Sequence, residues 1–268
     1  MNNPRISVIM GIYNCENTLT ISLSSLMEQT FQDFEVIMCD DGSVDNSYNI
    51  AKTFVDKYPK KFFLLKNEKN MGLNYTLNVC LKNIKGEYVA RMDGDDISLP
   101  TRFEKQINFL DTNPNIGIVS SAMIFFDETG DFGRSIPILY PKLKDLIRGT
   151  PFAHAPCMVR REAYFSVNGY TVDKRLLRVE DYHLWTKMYA KGYRGYNIQE
   201  PLYKMRDDKN AVNRRSFKNR INEAYVKFLV IKMLNLPVWN MIFILRPIII
   251  GLLPKKIYLL FHKKRLSN

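Results

Sequence analysis

The chain has 268 residues, of which 46% are hydrophobic and 25% are charged. These values exclude a disordered chain and a disulfide-stapled miniature, and they allow one well-cored catalytic domain with an appendage. The formal net charge is +12, but residues 224–268 carry eight Lys or Arg and no Asp or Glu, which leaves +4 for the rest. A nucleic-acid-binding protein would spread its cations over a folded face, so the tail-heavy charge counts against that class.

The N-terminus and the cysteines predict a cytoplasmic protein with reduced thiols. Met1–Arg5 lead directly into a short strand-like run, without the basic start, apolar stretch and small-residue cleavage site of a signal peptide. The cysteines show no CxxC spacing, and three lie in runs typical of buried strands or helices. We therefore expect neither disulfides nor structural zinc at Cys15, Cys39, Cys80 and Cys157.

The first hundred residues alternate short apolar, β-branched runs with helical patterns. This rhythm predicts successive βα units around a largely parallel sheet, and thus an α/β fold. Strands are expected near Ile6–Met10, Glu35–Cys39, Phe62–Lys66 and Tyr88–Met92. Apolar residues at helical spacing lie between them, in Thr18–Gln29, Asn46–Lys57 and Leu73–Asn83.

The strict alternation ends after Asp96. A helix is predicted over Thr101–Leu110, a strand over Gly117–Phe126, and further helices over Glu180–Lys191 and Ser216–Leu236. Pro237 stops the last of these. The apolar run that follows, Val238–Leu253, is interrupted by polar residues and is shorter than the ~20 residues that a membrane-spanning helix needs.

Two groups of aspartates follow apolar strands. Asp40 and Asp41 come directly after the second strand, at the edge where open α/β sheets bind ligands. Asp93, Asp95 and Asp96 come directly after the fourth. Like charges this close raise one another's pKa unless a cation neutralises them, and oxygen ligands suit Mg²⁺ or Mn²⁺, which also bridge phosphate oxygens. Each group has a structural alternative, helix capping for the first and an Asp-rich turn for the second.

Three further polar residues have a less decisive context. Glu180 and Asp181 open a predicted helix, where a carboxylate is also a favourable capping charge. His154 lies in a loop between Pro151 and Pro156, where a lone histidine assigns no reaction by itself. From the residues alone, capping is the preferred interpretation of the acidic pair.

Five motifs, in this order and spacing, resemble the inverting glycosyltransferase family 2 with its GT-A fold. They are residues 7–14, 40–43, 70–73 and 86–96, and the pair at 180–181. The resemblance spans roughly Ile6 to Arg206, and its block from Asn70 to Leu99 looks most like members that build bacterial surface polysaccharides or lipopolysaccharide. It implies a mixed, mostly parallel sheet flanked by helices, with residues 1–206 as the catalytic domain. Residues 1–96 would be its nucleotide-sugar half, 97–206 its acceptor half, and 207–268 a helical extension.

The resemblance implies contacts to the donor. Tyr13 and Asp41 stand where family members touch the uracil and the ribose of a UDP-linked sugar. Glu16 and Gly72 are further implied substrate contacts. Gly11 stands where many members have Pro or Thr, so a side-chain contact from that position is absent.

The resemblance also implies a metal site and a catalytic base. The family's DxD motif falls on Asp93, near the ribose and metal, and on Asp95, the direct ligand of Mn²⁺ or Mg²⁺. The base of inverting members falls on Asp181, which reverses the capping interpretation. The remaining implied substrate contacts are Glu180, His154 and Trp185.

The implied enzyme is of the hexosyltransferase type and works by single displacement. Asp181 takes the proton from an acceptor hydroxyl, whose oxygen attacks the anomeric carbon and inverts it. The metal held by Asp95 stabilises the departing nucleoside diphosphate. Processive synthases of the family add a QxxRW motif and transmembrane helices; this sequence shows neither, so we predict one sugar per encounter.

The tail predicts an interfacial segment on an anionic membrane, because Trp239, Phe243 and Leu245 precede a run of cations. These cations are Lys255, Lys256, Lys263, Lys264 and Arg265. The alternative is a basic cap on the domain or a homodimer contact. A saccharide or lipid-linked acceptor fits the first interpretation, and places the enzyme peripherally on the inner face of the cell membrane.

A rival enzyme class is nucleotidyl transfer, which also uses metal and carboxylates at strand ends. It would place a glycine-rich basic loop after the first strand, where this chain has Tyr13–Glu16. The non-enzymatic rival is the basic nucleic-acid-binding protein considered above, which would offer aromatic stacking platforms. We therefore predict a nucleoside-diphosphate sugar, rather than a nucleic acid, as the partner.

Overall fold

The computed structural model describes residues 3–207 and 217–252. Its N-terminal part has the order β1 (Ile6–Ile12), α1 (Leu19–Met27), β2 (Phe34–Asp40), α2 (Ser47–Lys57), β3 (Phe62–Lys66), α3 (Leu73–Leu81) and β4 (Tyr88–Arg91). The four strands pair in parallel, in the order β3-β2-β1-β4. The predicted βα units are confirmed, with every boundary within two residues of the prediction.

Both faces of this parallel part are buried, which explains why its strands are continuous apolar runs. On β1, Ile9 belongs to one buried cluster, while Val8 and Met10 belong to the other. Successive side chains of a strand point to opposite faces, so a single strand supplies both clusters. Buried residues of α1 join the second cluster and those of α3 join the first. The two helices therefore cover opposite faces of the sheet.

The C-terminal part extends the same sheet. Its elements are β5 (Ile97–Ser98), α4 (Arg102–Thr112), β6 (Ile118–Asp127), β7 (Gly130–Arg134), α5 (Leu143–Leu146), β8 (Met158–Arg160), α6 (Arg161–Ser166), α7 (Glu180–Ala190) and β9 (Gly195–Arg206). The strand order is β3-β2-β1-β4-β8-β6-β9-β5, with β7 paired to β6. β8 runs antiparallel to β4 and β6, whereas β9 runs parallel to β6. The described residues thus form a mixed nine-stranded sheet flanked by helices, which confirms the predicted fold class.

The strands β5, β8 and β9 were not predicted from the sequence. β5 and β8 have two and three residues, which is too short for a pattern. β9 contains Pro201, and its pairing with β6 shifts register beside that residue. These strands form because the neighbouring strands offer them hydrogen bonds.

Two helices close the described part of the chain, α8 (Phe217–Met233) and α9 (Ile242–Leu252). Pro237 and a 3-10 turn, Val238–Met241, separate them. α8 ends at Met233, before the predicted end at Leu236, and Asn235, with a φ of 49°, turns the chain before it reaches Pro237. Among the described residues, every helix is too short or too polar to cross a bilayer. The five cations predicted to touch a membrane lie outside the described residues.

All four cysteines have free thiols, as predicted. Three of them are buried, and Cys15 is half-buried.

Candidate active site

The carboxyl ends of β1 and β2 hold the first group of predicted residues together. The backbone N–H of Asp41 donates to the carbonyl of Ile12, 2.9 Å away. The carboxylate of Asp41 accepts hydrogen bonds from the side chain of Asn67 and from the backbone N–H groups of Met71 and Gly72, at 2.8–2.9 Å. It thereby fixes the turn that leads into α3. Because a carboxylate offers about four acceptor positions, roughly one remains for a ligand.

Gly72 shapes that turn through its backbone. Its φ of 88° lies in the left-handed region, which favours glycine. No atom lies within 4 Å of the position that a Cβ would take there, so the surface beside Gly72 is open. The conformation of the chain, rather than a steric clash, therefore explains the glycine.

Tyr13 and Glu16 follow β1 and differ in their surroundings. The side chain of Tyr13 is 47% exposed at this edge. The carboxylate of Glu16 accepts a hydrogen bond, 2.9 Å long, from the backbone N–H of Asn46, where α2 begins. Glu16 thus has a structural role at the start of α2, and its contact with substrate stays a prediction.

The second acidic group lies directly after β4. Ligand oxygens of Asp93, Asp95 and Asp96 all lie within 4.8 Å of one another. Asp96 is buried, and its carboxylate accepts a hydrogen bond from the backbone N–H of Arg206 at 2.8 Å. Burial, together with the charges of Asp93 and Asp95, raises the pKa of Asp96 well above its usual range. Three converging carboxylates fit a hard divalent cation, which would relieve this repulsion.

Arg91 is a site residue that the sequence interpretation left without a role. It ends β4 with 3% of its surface exposed, and its guanidinium donates to both carboxylate oxygens of Asp93. Burial acts to lower the pKa of Arg91, but the carboxylate of Asp93 outweighs it and raises this pKa above its usual range. The sequence could have indicated this pairing, because side chains two residues apart at the end of a strand point to the same side.

The loop of the acidic cluster packs tightly against the start of α1. The carbonyl of Gly94 accepts a hydrogen bond from the hydroxyl of Thr18, 2.8 Å away. A Cβ at Gly94 would lie 2.8 Å from the Sγ of Cys15, so a larger residue would displace the loop. Arg206, at the end of β9, donates from Nε to the carbonyl of Asp95 at 3.2 Å. This second cation was also missed from the sequence, since β9 was not predicted.

The acidic pair that opens α7 has an unusual electrostatic setting. Asp181 is half-buried, and its Oδ2 accepts a hydrogen bond from the hydroxyl of Thr150 at 3.4 Å. Burial and the neighbouring charge of Glu180 raise the pKa of Asp181 to about 7, although Arg91 opposes them. Burial also raises the pKa of Glu180, and among the described residues its Oε2 has no hydrogen-bond partner. A carboxylate that titrates near neutral pH is suited to general-base catalysis.

His154 and Trp185 lie together, with different exposures. His154 is half-buried, its Nε2 lies 2.7 Å from the hydroxyl of Tyr170, and burial holds its pKa well below the usual range. The imidazole is therefore neutral. Trp185 has no exposed surface; its ring contacts His154 and Phe152 edge-on, with centroids 6.0 and 5.8 Å away. The predicted substrate contact of Trp185 is corrected: it packs behind His154.

The comparisons with known proteins agree with this geometry. The family model described as Glycosyl transferase family 2 matches residues 7–169, which is more than half of the chain. The chain belongs to glycosyl transferase family 2. The predicted family and the predicted class of enzyme, a glycosyltransferase, are thereby confirmed.

This chain is similar over most of its length to two bacterial proteins. It is 41% identical over 267 residues to EpsE of Bacillus subtilis (strain 168), covering 100% of this chain and 96% of that protein. It is 33% identical over 236 residues to the UDP-Gal:alpha-D-GlcNAc-diphosphoundecaprenol beta-1,3-galactosyltransferase of Escherichia coli, covering 85% of this chain and 83% of that protein.

Two solved structures share the fold. One is S. aureus TarS, residues 1–349, in complex with UDP-GlcNAc, with a TM-score of 0.70 and 19% identity over 92% of this chain and 71% of that chain. The other is the mannosyltransferase PcManGT of Pyrobaculum calidifontis in complex with GDP-Man and Mn²⁺, with a TM-score of 0.60 and 19% identity over 98% and 81%. At these identities the likeness shows the fold alone.

The raised pKa of Asp181 predicts that replacing this residue stabilises the protein. Its pKa is about 7 in the folded state against a usual 3.8, so ionising it opposes folding increasingly as the pH rises from the lower value to the higher. We expect Asp181→Asn to raise the melting temperature at pH 8, and to raise it less at pH 5. Thermal unfolding without donor or added metal measures this effect.

The matched control is Asp56→Asn, at an exposed position of α2, which should leave the melting temperature unchanged at both pH values. An Asp181→Asn protein that melts at or below the wild-type temperature at pH 8 would contradict the expectation.

Proposed function

We propose that this glycosyltransferase moves one sugar from a nucleoside-diphosphate sugar to an acceptor hydroxyl, with inversion and with help from a divalent metal. The observation that carries the proposal is the half-buried Asp181, whose pKa of about 7 leaves it half ionised at neutral pH, largely ionised at mildly alkaline pH, and still basic enough to take a proton. The cluster of Asp93, Asp95 and Asp96 supports the metal requirement.

The chain's own residues divide the proposed work. Asp181 accepts the proton of the acceptor hydroxyl, and the hydroxyl of Thr150 orients its carboxylate. Asp93, Asp95 and Asp96 would hold Mn²⁺ or Mg²⁺, which supplies positive charge to a departing diphosphate. Arg91 holds the carboxylate of Asp93 in place through their bidentate contact.

The proposed donor is a UDP-linked hexose, with Tyr13, Asp41 and Gly72 as its nucleotide contacts. In support, the E. coli relative is named for UDP-Gal, and the TarS structure contains UDP-GlcNAc. The fold also accommodates a guanine nucleotide and Mn²⁺ in PcManGT, which supports the metal more than the base. Glu180 and His154 are the proposed contacts on the acceptor side.

We also propose a lipid-linked saccharide as the acceptor, in bacterial cell-surface polysaccharide synthesis. The E. coli relative is named for an acceptor on diphosphoundecaprenol. In this proposal residues 1–206 perform catalysis, and residues 207–268 bring the enzyme to the inner face of the membrane.

The outer face of α9 and of the 3-10 turn before it supports membrane contact. The interfacial stripe, as we call it, consists of exposed apolar residues at 53–81% exposure, at helical spacing: Val238, Trp239, Ile242, Leu245, Ile249 and Leu252. Phe243, which the sequence assigned to the interface, packs against the buried core instead and is corrected. Residues 253–268 follow the stripe with five Lys or Arg and no Asp or Glu, a charge that complements anionic lipids.

The proposed reaction predicts that two aspartates are indispensable. We expect Asp181→Asn to lower kcat by about 10²- to 10⁴-fold, since general-base catalysis is lost. Asp95→Ala should abolish the response of the rate to added Mn²⁺. Transfer from a panel of nucleotide sugars to a lipid-linked acceptor measures both, with Asp56→Asn as the control. Metal-independent transfer by the wild type, or full activity of Asp181→Asn, would sink the mechanism.

The pH dependence offers a separate test. Because Asp181 must be ionised, kcat/KM should rise with pH around a midpoint of about 7. Glu180→Gln removes a negative charge that raises the pKa of Asp181, so the midpoint should move to lower pH. The matched control is Glu162→Gln, at an exposed position of α6. A midpoint that stays in place or moves upward in Glu180→Gln would contradict this assignment.

Vesicle flotation tests the interfacial stripe in the full-length protein. We expect the wild type to float with vesicles rich in phosphatidylglycerol, and much less with phosphatidylcholine alone. Ile242→Gln with Ile249→Gln should weaken binding about tenfold or more, because less apolar surface leaves water. Ile136→Gln, another exposed apolar position, serves as the control. If the double variant binds vesicles normally but loses a dimer in sedimentation, the stripe is a subunit contact.

A further inference from the structure

Three consecutive backbone carbonyls before the base are held by three different helices. The hydroxyl of Tyr182, in α7, donates to the carbonyl of Leu146. The Nζ of Lys227, in α8, donates to the carbonyl of Ile147 at 2.7 Å. The guanidinium of Arg246, in α9, donates to that of Arg148 at 3.4 Å. The segment 146–148, which leaves α5, is thus fixed from three sides.

Lys227 is the least expected of these three donors. It is 0% exposed, and burial lowers its pKa to about 8. Its Nζ also lies over the ring of Tyr182, 5.7 Å from the centroid. Burying an ammonium group costs free energy that a methionine of similar length would not. What the lysine adds at this position is a directed hydrogen bond to one carbonyl.

The held segment leads directly to the base. Two residues after Arg148, the hydroxyl of Thr150 donates to the carboxylate of Asp181. α8 also contacts the chain just before the acidic pair, since the side chain of Asn222 donates to the carbonyl of Leu177 at 3.0 Å. A single helix therefore holds both the segment that leads to Thr150 and the segment that leads to Asp181.

We propose that Lys227 is a positioning residue for the base: by holding the carbonyl of Ile147, it keeps the hydroxyl of Thr150 on Asp181. This role rests on the proposed function of Asp181 as the base. Without the lysine, the segment 147–150 relaxes and the carboxylate loses the contact that orients it. Displacing a catalytic group by about 1 Å can cost 10²-fold in rate, while leaving donor binding intact.

The test is Lys227→Met in the full-length enzyme, with Lys232→Met, at an exposed position of the same helix, as the matched control. We expect Lys227→Met to lower kcat by about tenfold or more with the KM for the donor changed less than about twofold. The midpoint of the pH profile should also rise, because the hydroxyl of Thr150 favours the ionised form of Asp181. Lys232→Met should match the wild type.

A double-mutant cycle separates positioning from general damage. If Lys227 acts through the base, Lys227→Met should lower the residual rate of Asp181→Asn no further. An equal loss in both backgrounds, or an unchanged kcat in Lys227→Met alone, would overturn the proposal. If Lys227→Met fails to fold, as judged by circular dichroism, Thr150→Val decides instead, with the same expected losses and non-additivity.

The two proposals fail in different ways. Full activity of Asp181→Asn would reject the proposed function itself. A nearly inactive Asp181→Asn beside a fully active Lys227→Met would reject only the positioning role.

Discussion

Arg91 lies at the end of β4, almost without contact with solvent, and its guanidinium donates to both carboxylate oxygens of Asp93. A second buried arginine, Arg102, holds the carbonyl of Arg91 at 2.8 Å, so the pair has a fixed place in the fold. The charge of Arg91 also counteracts the burial that raises the pKa of Glu180 and of Asp181. The charge of Arg91 thus stabilises both Asp93 and the acidic pair of Glu180 and Asp181. Removing one partner of a buried ion pair typically costs about 3–5 kcal/mol of stability.

The site accumulates charge that the fold alone would not favour. Burial raises the pKa of Asp96, Glu180 and Asp181, which means that each opposes folding when it is ionised. Burial of apolar side chains in the two clusters on the two faces of the sheet offsets this unfavourable free energy. Such local disagreement with the rules of stability is expected where a protein carries out chemistry.

The strands and helices of the first hundred residues were predictable because each is encoded by its own short stretch of sequence. Each strand and helix there has its own apolar period, and the acidic motifs sit at strand ends that the pattern marks. The contacts of Lys227 and Arg206 were not predictable in this way, because their partners lie 80 and 110 residues away. Trp185 and Phe243 show a different limit: composition identifies an aromatic residue, but only packing decides whether it faces a ligand, a membrane or the core.

The loop of the acidic cluster is completed by a strand made much later. The backbone N–H of Asp93 donates to the hydroxyl of Tyr203, and the carboxylate of Asp96 accepts from Arg206, 110 residues further along. During synthesis the loop leaves the ribosome well before β9 exists to close it. A nascent chain therefore lacks the finished acidic cluster, whose loop is closed only once β9 has been made.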